Sequence, residues 1–178
     1  MSNLLVVTGP PGAGKSTVAA LVAEASERSV LVEGDAFFGF LARGGIDPWL
    51  REAHAQNEVV TRAAALATGG YALGGFDTVY DGVVGAWFLP AFMAATGLDE
   101  LDYVVLLPSV ETCLHRVATR RGHGFSDEPA TRQMHAAFSA AEIDPRHVLV
   151  DPASTPAAVA EVVIDGWRAG TFTHAGEA

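Results

Sequence analysis

Asn3-Leu4-Leu5-Val6-Val7-Thr8, running straight into Gly9-Pro10-Pro11-Gly12-Ala13-Gly14-Lys15-Ser16-Thr17, decides how this chain folds. A short, nearly continuous apolar run before a glycine cluster predicts a strand buried on both faces. The nine residues after it match G-x-x-x-x-G-K-[ST] in full, and a helix is expected from Ser16 to about Ala25. In that setting the backbone N–H groups of Gly12, Ala13, Gly14, Lys15, Ser16 and Thr17 can turn inward around a phosphate, because glycine carries no Cβ to block the turn. The helix N-terminus adds a partial positive charge. Lys15 is expected to reach the β- and γ-phosphates of a nucleotide, and the Ser16 hydroxyl to bind Mg²⁺.

Composition sharpens this reading. Of 11 basic residues ten are arginine, and the one lysine is Lys15. Arginine cannot imitate a compact ammonium on a flexible stem, so the lysine stands where the motif needs it. A formal charge of −10 disfavours phosphate backbones and anionic lipid, so nucleic acid and membranes are not expected partners. Cys113 is the single cysteine, which rules out an internal disulfide and fits a cytoplasmic setting. The uncharged stretch 82–98 is broken by Gly85, Pro90 and Gly97, so it is not expected to span a bilayer.

The rest of the chain alternates strand and helix. Further strands are expected at Ser29–Glu33, Thr78–Tyr80, Tyr103–Leu107 and His147–Val150. Helices are expected from Asp47-Pro48 to about Ala67, through Trp87 to about Ala95, from Ser109 to Arg120 or Arg121, from Asp127 to about Ala140, and from Thr155-Pro156 to near Gly170. The expected fold is α/β: one domain over residues 1–178, a three-layer P-loop NTPase fold of the nucleotide-kinase type. It has a five-stranded parallel sheet, helices on both faces and a small lid at about 120–130. Ligands of such sheets bind at the carboxyl ends of the strands, where the motifs lie.

Several nucleotide-protein classes are excluded. With no lysine beyond Lys15, the N-K-x-D guanine-reading motif cannot occur. No S-G-G-Q-like transporter signature is present, and 178 residues leave little room for the helical lid domain of a ring ATPase. Small phosphotransferases remain. Asp35, in Glu33-Gly34-Asp35 at the carboxyl end of the second strand, is placed to accept a proton from an acceptor hydroxyl, or else to cap the next helix. Asp81 ends the third strand. It is suited to hold a Mg²⁺-bound water or an acceptor hydroxyl, or to serve only the Asp81-Gly82 turn.

The phosphate loop with Gly34-Asp35 resembles gluconate kinase, shikimate kinase and chloramphenicol phosphotransferase. Arg116-Val117-Ala118-Thr119-Arg120-Arg121-Gly122-His123-Gly124-Phe125, with Arg132-Gln133-Met134 and Phe138, is similar to the lid of gluconate kinases. The resemblance implies that Asp35 is a base or substrate ligand, that Arg116 stacks on adenine, and that Arg120 reaches the transferring phosphate. It also implies that the loop at Asp151-Pro152 touches adenine. The chain departs from gluconate kinases after the third strand. No Arg or Lys occurs between Asp81 and Arg116, which argues against gluconate as acceptor.

These readings converge on an ATP- and Mg²⁺-dependent phosphotransferase. It moves the γ-phosphoryl group to a hydroxyl of a small molecule: an antibiotic, a nucleoside-like compound, a sugar or a polyol. Lys15, Asp35 and Arg120 are the expected catalytic groups. Gly12 to Thr17, Arg116 and Pro152 are expected to hold the nucleotide, and Ser16 with Asp81 the metal. Asp35, Phe38, Arg43, Trp49, Asp81 and Trp87 are expected to face the acceptor. The chain is expected to be a monomer or homodimer. The alternative is a nucleotide-binding switch or ATPase with no small-molecule acceptor.

Overall fold

The computed structural model describes residues 3–119, 126–150 and 155–176. Five parallel strands form its centre: β1 (Leu4–Thr8), β2 (Ser29–Glu33), β3 (Asp77–Asp81), β4 (Glu100–Leu107) and β5 (Val148–Val150), in the spatial order β2-β3-β1-β4-β5. The strand that runs into the phosphate loop is therefore central, with Val7 level with Asp81 on one side and Val104 on the other. Alternate strand residues feed opposite layers. Leu4, Val6, Tyr80, Tyr103 and Val105 pack on one face, while Leu5, Val7, Val79, Val104 and Leu106 pack on the other.

The helices are α1 (Lys15–Glu24), the short α2 (Gly34–Phe38), α3 (His54–Leu73), α4 (Leu89–Thr96), α5 (Val110–Thr119), α6 (Glu128–Ala140) and α7 (Pro156–Arg168). Val18, Val22, Val159, Val163 and Trp167 show that α1 and α7 cover the second face. The first face receives α3 and α4 through Ala64, Ala65, Phe92 and Met93, with Phe138 of α6.

A sixth strand, β6 (Thr173–Ala175), joins antiparallel to β4 and lies outside the five expected. Strand β4 has eight residues, but β5 pairs only with Val105 to Leu107. The lower half of that edge would be left with unpaired peptide groups, and β6 pairs with Glu100 to Asp102 instead.

The helix expected from Asp47-Pro48 begins later. Gln56 captures the Ile46 backbone at both ends, its Oε1 accepting from Ile46 N and its Nε2 donating to Ile46 O, each at 2.7 Å. That anchor holds residues 47–50 in a turn, followed by one 3₁₀ turn at Arg51–Ala53 before α3 proper. Helix α3 also runs past Ala67 to Leu73, through Gly69 and Gly70. Trp87 lies in the turn before α4 rather than inside a helix.

Candidate active site

The phosphate loop joins β1 to α1 in the conformation its glycines predict. Gly12 and Gly14 have φ of 78° and 99°, in the left-handed region. A Cβ on Gly12 would also strike the Cys113 backbone of α5, so this position must be bare for the loop to lie against that helix. Ala13 N closes the turn on Pro10 O at 3.2 Å, and α1 starts at Lys15 with no acidic residue in its first turn. Lys15 Nζ donates to Pro10 O at 3.2 Å, which draws the ammonium back over the loop. Ser16 and Thr17 are exposed at the helix start.

Ser16 and Asp81, the two residues expected to hold a metal, lie in contact. Asp81 is buried at the end of β3, and its carboxylate accepts a hydrogen bond from the Ser16 side chain. Burial pushes its carboxyl above the usual aspartate range, and the nearby Asp35 and Glu33 charges push the same way. The Lys15 charge and the Ser16 bond oppose the rise. A hydroxyl and a carboxylate already joined, beside the Lys15 ammonium, form a hard oxygen donor set that would suit Mg²⁺ with retained waters. The donors fit the ion on chemistry alone.

The end of β2 lies beside this pair, since Glu33 is level with Asp81 in the parallel ladder. The chain turns there into α2. Asp35 sits in its first turn with an exposed side chain, and the Asp35 charge acts on both Asp81 and Tyr80. No side-chain hydrogen bond caps α2, whose N-cap position is Glu33. The alternative role of Asp35 as an N-cap is therefore a correction: it is inside the helix and its carboxylate is free of that duty.

Tyr80 is a member of the site that sequence reasoning assigned only to the strand. Its ring is buried edge-on to Phe92, with centroids 4.8 Å apart, and its hydroxyl lies where a Cβ of Gly34 or Gly82 would have to be. Both glycines flanking the acidic ends of β2 and β3 are thus explained by one phenol. Burial, then the Asp35 and Asp81 charges, raise the Tyr80 phenol far above its ordinary value, so the hydroxyl stays protonated. The signal was present in the sequence as two glycines, Gly34 and Gly82, each directly after a strand-end carboxylate, with Tyr80 two residues before the second.

Arg116, on α5, donates from Nη1 to Gly12 O at 3.3 Å and to Ala13 O at 3.1 Å. It borders a hollow of about 150 Å³, with Gly14, Thr17, Thr155 and Pro156 on the other walls. A larger hollow of about 510 Å³ lies at the opposite end of the sheet, between Asn3, Arg28, Asp77 and Trp167, and contains none of the phosphate-loop groups. Arg120 and Pro152 lie outside the described residues, as does most of the expected lid.

Trp87, one of the residues expected to face an acceptor, sits in an aromatic group. Trp87 packs on Phe138 at 5.3 Å and on Phe88 at 6.4 Å, while His54 stacks on Phe88 at 5.2 Å. Trp87 is still 40% exposed, so one part of the indole is open to a ligand. Val84, between Asp81 and Trp87, is held by its backbone: its N–H donates to Thr8 Oγ1 at 2.9 Å, and its C=O accepts from Tyr103 Oη at 2.7 Å. Those two bonds fix the connection that carries Trp87. His54, exposed in the first turn of α3, stacks on Phe88, and Glu58 and Arg62 form no ion pair with each other among the described residues. Phe38 and Trp49 are half-buried, and Arg43 is exposed in the 39–50 connection. The structure thus brings together Lys15, Ser16, Asp35 and Asp81, adds Tyr80, and leaves Arg43 on the surface.

A family model described as an AAA domain matches residues 4–142, and the chain belongs to that family. No curated protein matches it. Among solved structures it is similar to an unliganded sugar kinase from a Janibacter species, at 22% identity and TM-score 0.68, with 97% of this chain and 94% of that one covered. It is similar to the tunicamycin resistance protein of Deinococcus radiodurans, at 14% identity and TM-score 0.69, with both chains fully covered. A gluconokinase from Sinorhizobium meliloti matches at 20% identity and TM-score 0.64, with 94% and 92% covered. At these identities the likeness establishes the fold, which is that of the small P-loop kinases. No helix among the described residues is long and apolar enough to cross a membrane.

Proposed function

We propose, from the premise that the chain is a P-loop member of the AAA domain family, that it transfers the γ-phosphoryl group of ATP to a hydroxyl of a small molecule. One observation carries the reading: a carboxylate free of capping duty, Asp35, stands beside the Ser16–Asp81 pair at the mouth of the phosphate loop. A nucleotide switch needs the loop and the metal pair but has no use for an acceptor base.

The residues divide the work as follows. The loop from Gly12 to Thr17 binds the phosphates through backbone N–H groups, and Lys15 places its charge at the β- and γ-phosphates. Ser16 and Asp81 hold Mg²⁺, which when bound neutralises phosphate charge. Asp35 orients the acceptor hydroxyl and accepts its proton as the oxygen bonds to the γ-phosphorus and the bond to the ADP oxygen breaks. Arg116 steadies the loop carbonyls and borders the base pocket, and Arg120 meets charge on the transferring group. Pro152 contributes to the adenine side.

The acceptor side combines an open indole edge with the carboxylates of Glu33, Asp35 and Asp81, and Lys15 is committed to phosphate. That pocket suits a neutral or cationic hydroxyl compound over a phosphorylated one. Two of the similar structures, a sugar kinase and a tunicamycin resistance protein, are in keeping with those classes. The test is ATP consumption across a library of small hydroxyl compounds, against a no-acceptor control and against Asp35→Asn. Acceptor-dependent turnover that falls roughly a hundredfold in Asp35→Asn, with ATP binding intact, supports the kinase. Turnover equal with and without every acceptor favours the ATPase.

A further inference from the structure

Helix α3 turns an apolar stripe to solvent from Val59 to its end at Leu73. Val59, Leu66 and Leu73 recur every seven residues and are 67%, 65% and 65% exposed. Ala63 and Gly70 lie between them, also exposed, so the pattern 59-63-66-70-73 repeats with the 4-3 spacing of a helix-pairing seam. The stripe is directly opposite the buried face that carries Ala64, Thr68 and Thr61. Among the described residues nothing covers Val59, Leu66 or Leu73 enough to take them out of water. From Ala63 to Phe76 there is no charged residue, an unusual surface for a chain of net charge −10.

Gly70 makes the case sharper. Glycine inside a helix is destabilising relative to alanine. The neighbouring Gly69 has a reason within the chain, because a Cβ there would collide with the Thr96 backbone. A Cβ on Gly70 would meet nothing within 4 Å, and its φ is not positive. The missing side chain is unused in the isolated molecule. It is useful if another backbone approaches the helix at that turn.

We propose that α3 is a homodimer interface, with the second copy lying antiparallel across Leu66. The large residues of the stripe are self-complementary about Leu66: Val59 of one copy meets Leu73 of the other, the two Leu66 side chains meet at the axis, and Ala63 and Gly70, three residues before and four after the axis, leave room between the large side chains for the second helix to approach. Such mirror placement is what a two-fold axis requires. The three large side chains expose roughly 350 Å² per copy, and with their flanks a pair would bury about 1,000 Å², the small end of specific interfaces. The dimer is therefore expected to be concentration-dependent, with micromolar affinity. Arg62 and Glu58 border the stripe and, among the described residues, form no ion pair; being of opposite sign they present no like-charged block to the approach.

The test is sedimentation velocity of the full chain from about 1 to 200 µM, a range that brackets micromolar affinity. A monomer–dimer equilibrium is expected for the native chain. Leu66→Glu puts two carboxylates at the axis and should weaken it by roughly a hundredfold or more. Gly70→Ala should raise the melting temperature of the dilute monomer, where only helix propensity acts, while weakening association. Leu66→Cys gives a cross-link that does not depend on tolerating a charge: the native Cys113 is buried, so an oxidised dimer must form at position 66. Ala157→Cys, on exposed α7, should not cross-link and serves as the control. A native chain that stays monomeric at 200 µM overturns the proposal and leaves the stripe to a different partner. So does a dimer unaffected by Leu66→Glu with no cross-link in Leu66→Cys. These outcomes leave the kinase reading untouched, because none of them measures turnover.

Discussion

Replacing Asp81 by asparagine tests the metal pair with two effects of opposite sign. The carboxylate is buried, its burial and the Asp35 and Glu33 charges oppose ionisation, and the Lys15 charge and the Ser16 hydroxyl bond offset this only in part. The folded carboxyl is held above its ordinary value, so this group makes folding less favourable as pH rises through the aspartate range and beyond. Asparagine keeps the shape and an acceptor oxygen for Ser16 but has no charge to desolvate. The nucleotide-free variant should therefore melt higher than the native chain at pH 7.5. Its Mg²⁺ affinity, measured by calorimetry with ATP present, should fall. Loss of a carboxylate that supports a metal indirectly costs ten- to a hundredfold, about 1.4–2.7 kcal/mol. The native chain should also lose Mg²⁺-dependent binding at a higher pH than an ordinary aspartate would predict, as Asp81 takes up its proton. A variant that melts lower and keeps native Mg²⁺ dependence would refute this reasoning and reduce Asp81 to a turn residue.

Three further outcomes are expected. Lys15→Ala should lower phosphoryl transfer roughly a hundred- to a thousandfold, since it removes a preorganised charge from the transferring group; single-turnover kinetics measures it. Arg116→Ala should weaken ATP binding several-fold in calorimetry, because two bonds from an exposed guanidinium to Gly12 O and Ala13 O are lost, with solvent screening keeping the effect near 1 kcal/mol. Asp102 is fully buried at the β4–β6 junction and burial lifts its carboxyl to about 6, only partly offset by the bond from Thr173 Oγ1. Its ionisation thus subtracts stability progressively between about pH 4 and pH 6, up to ~3 kcal/mol at pH 8, and Asp102→Asn should melt increasingly higher than the native chain over that range.

How much of the fold was legible depends on whether local signals or distant contacts decided each element. The five parallel strands were readable because a strand covered on both faces must be almost wholly apolar, as Leu4–Val7 and Val104–Leu107 are. The caps at Ser109, Asp127 and Thr155 were readable because capping is local chemistry: each side chain accepts from a backbone N–H three residues on. The start of α3 was not, since Asp47-Pro48 carries a good local start signal that is overruled by Gln56 binding the Ile46 backbone ten residues away. Strand β6 was missed for a related reason. Thr173-His174-Ala175 has little strand character, and its pairing follows from the length mismatch between β4 and β5.

The candidate site divides along the same line. Lys15, Ser16 and the glycines of the loop were legible because backbone geometry and phosphate chemistry constrain contiguous residues. Asp35 and Asp81 were legible as strand-end carboxylates, since topology alone brings the ends of β2 and β3 to the phosphate loop. What joins them was not: the Ser16–Asp81 bond and the Tyr80 hydroxyl under Gly34 and Gly82 span three elements. The glycines at 34 and 82 look like turn residues when each is read in its own segment. Together they are the imprint of one tyrosine, because a side chain at either would displace the phenol and with it the floor beneath Asp35. A glycine beside a strand-end carboxylate can therefore record the side chain of a neighbouring strand, and Gly34→Ala should disturb Asp35 as severely as a substitution in the loop itself disturbs phosphate binding.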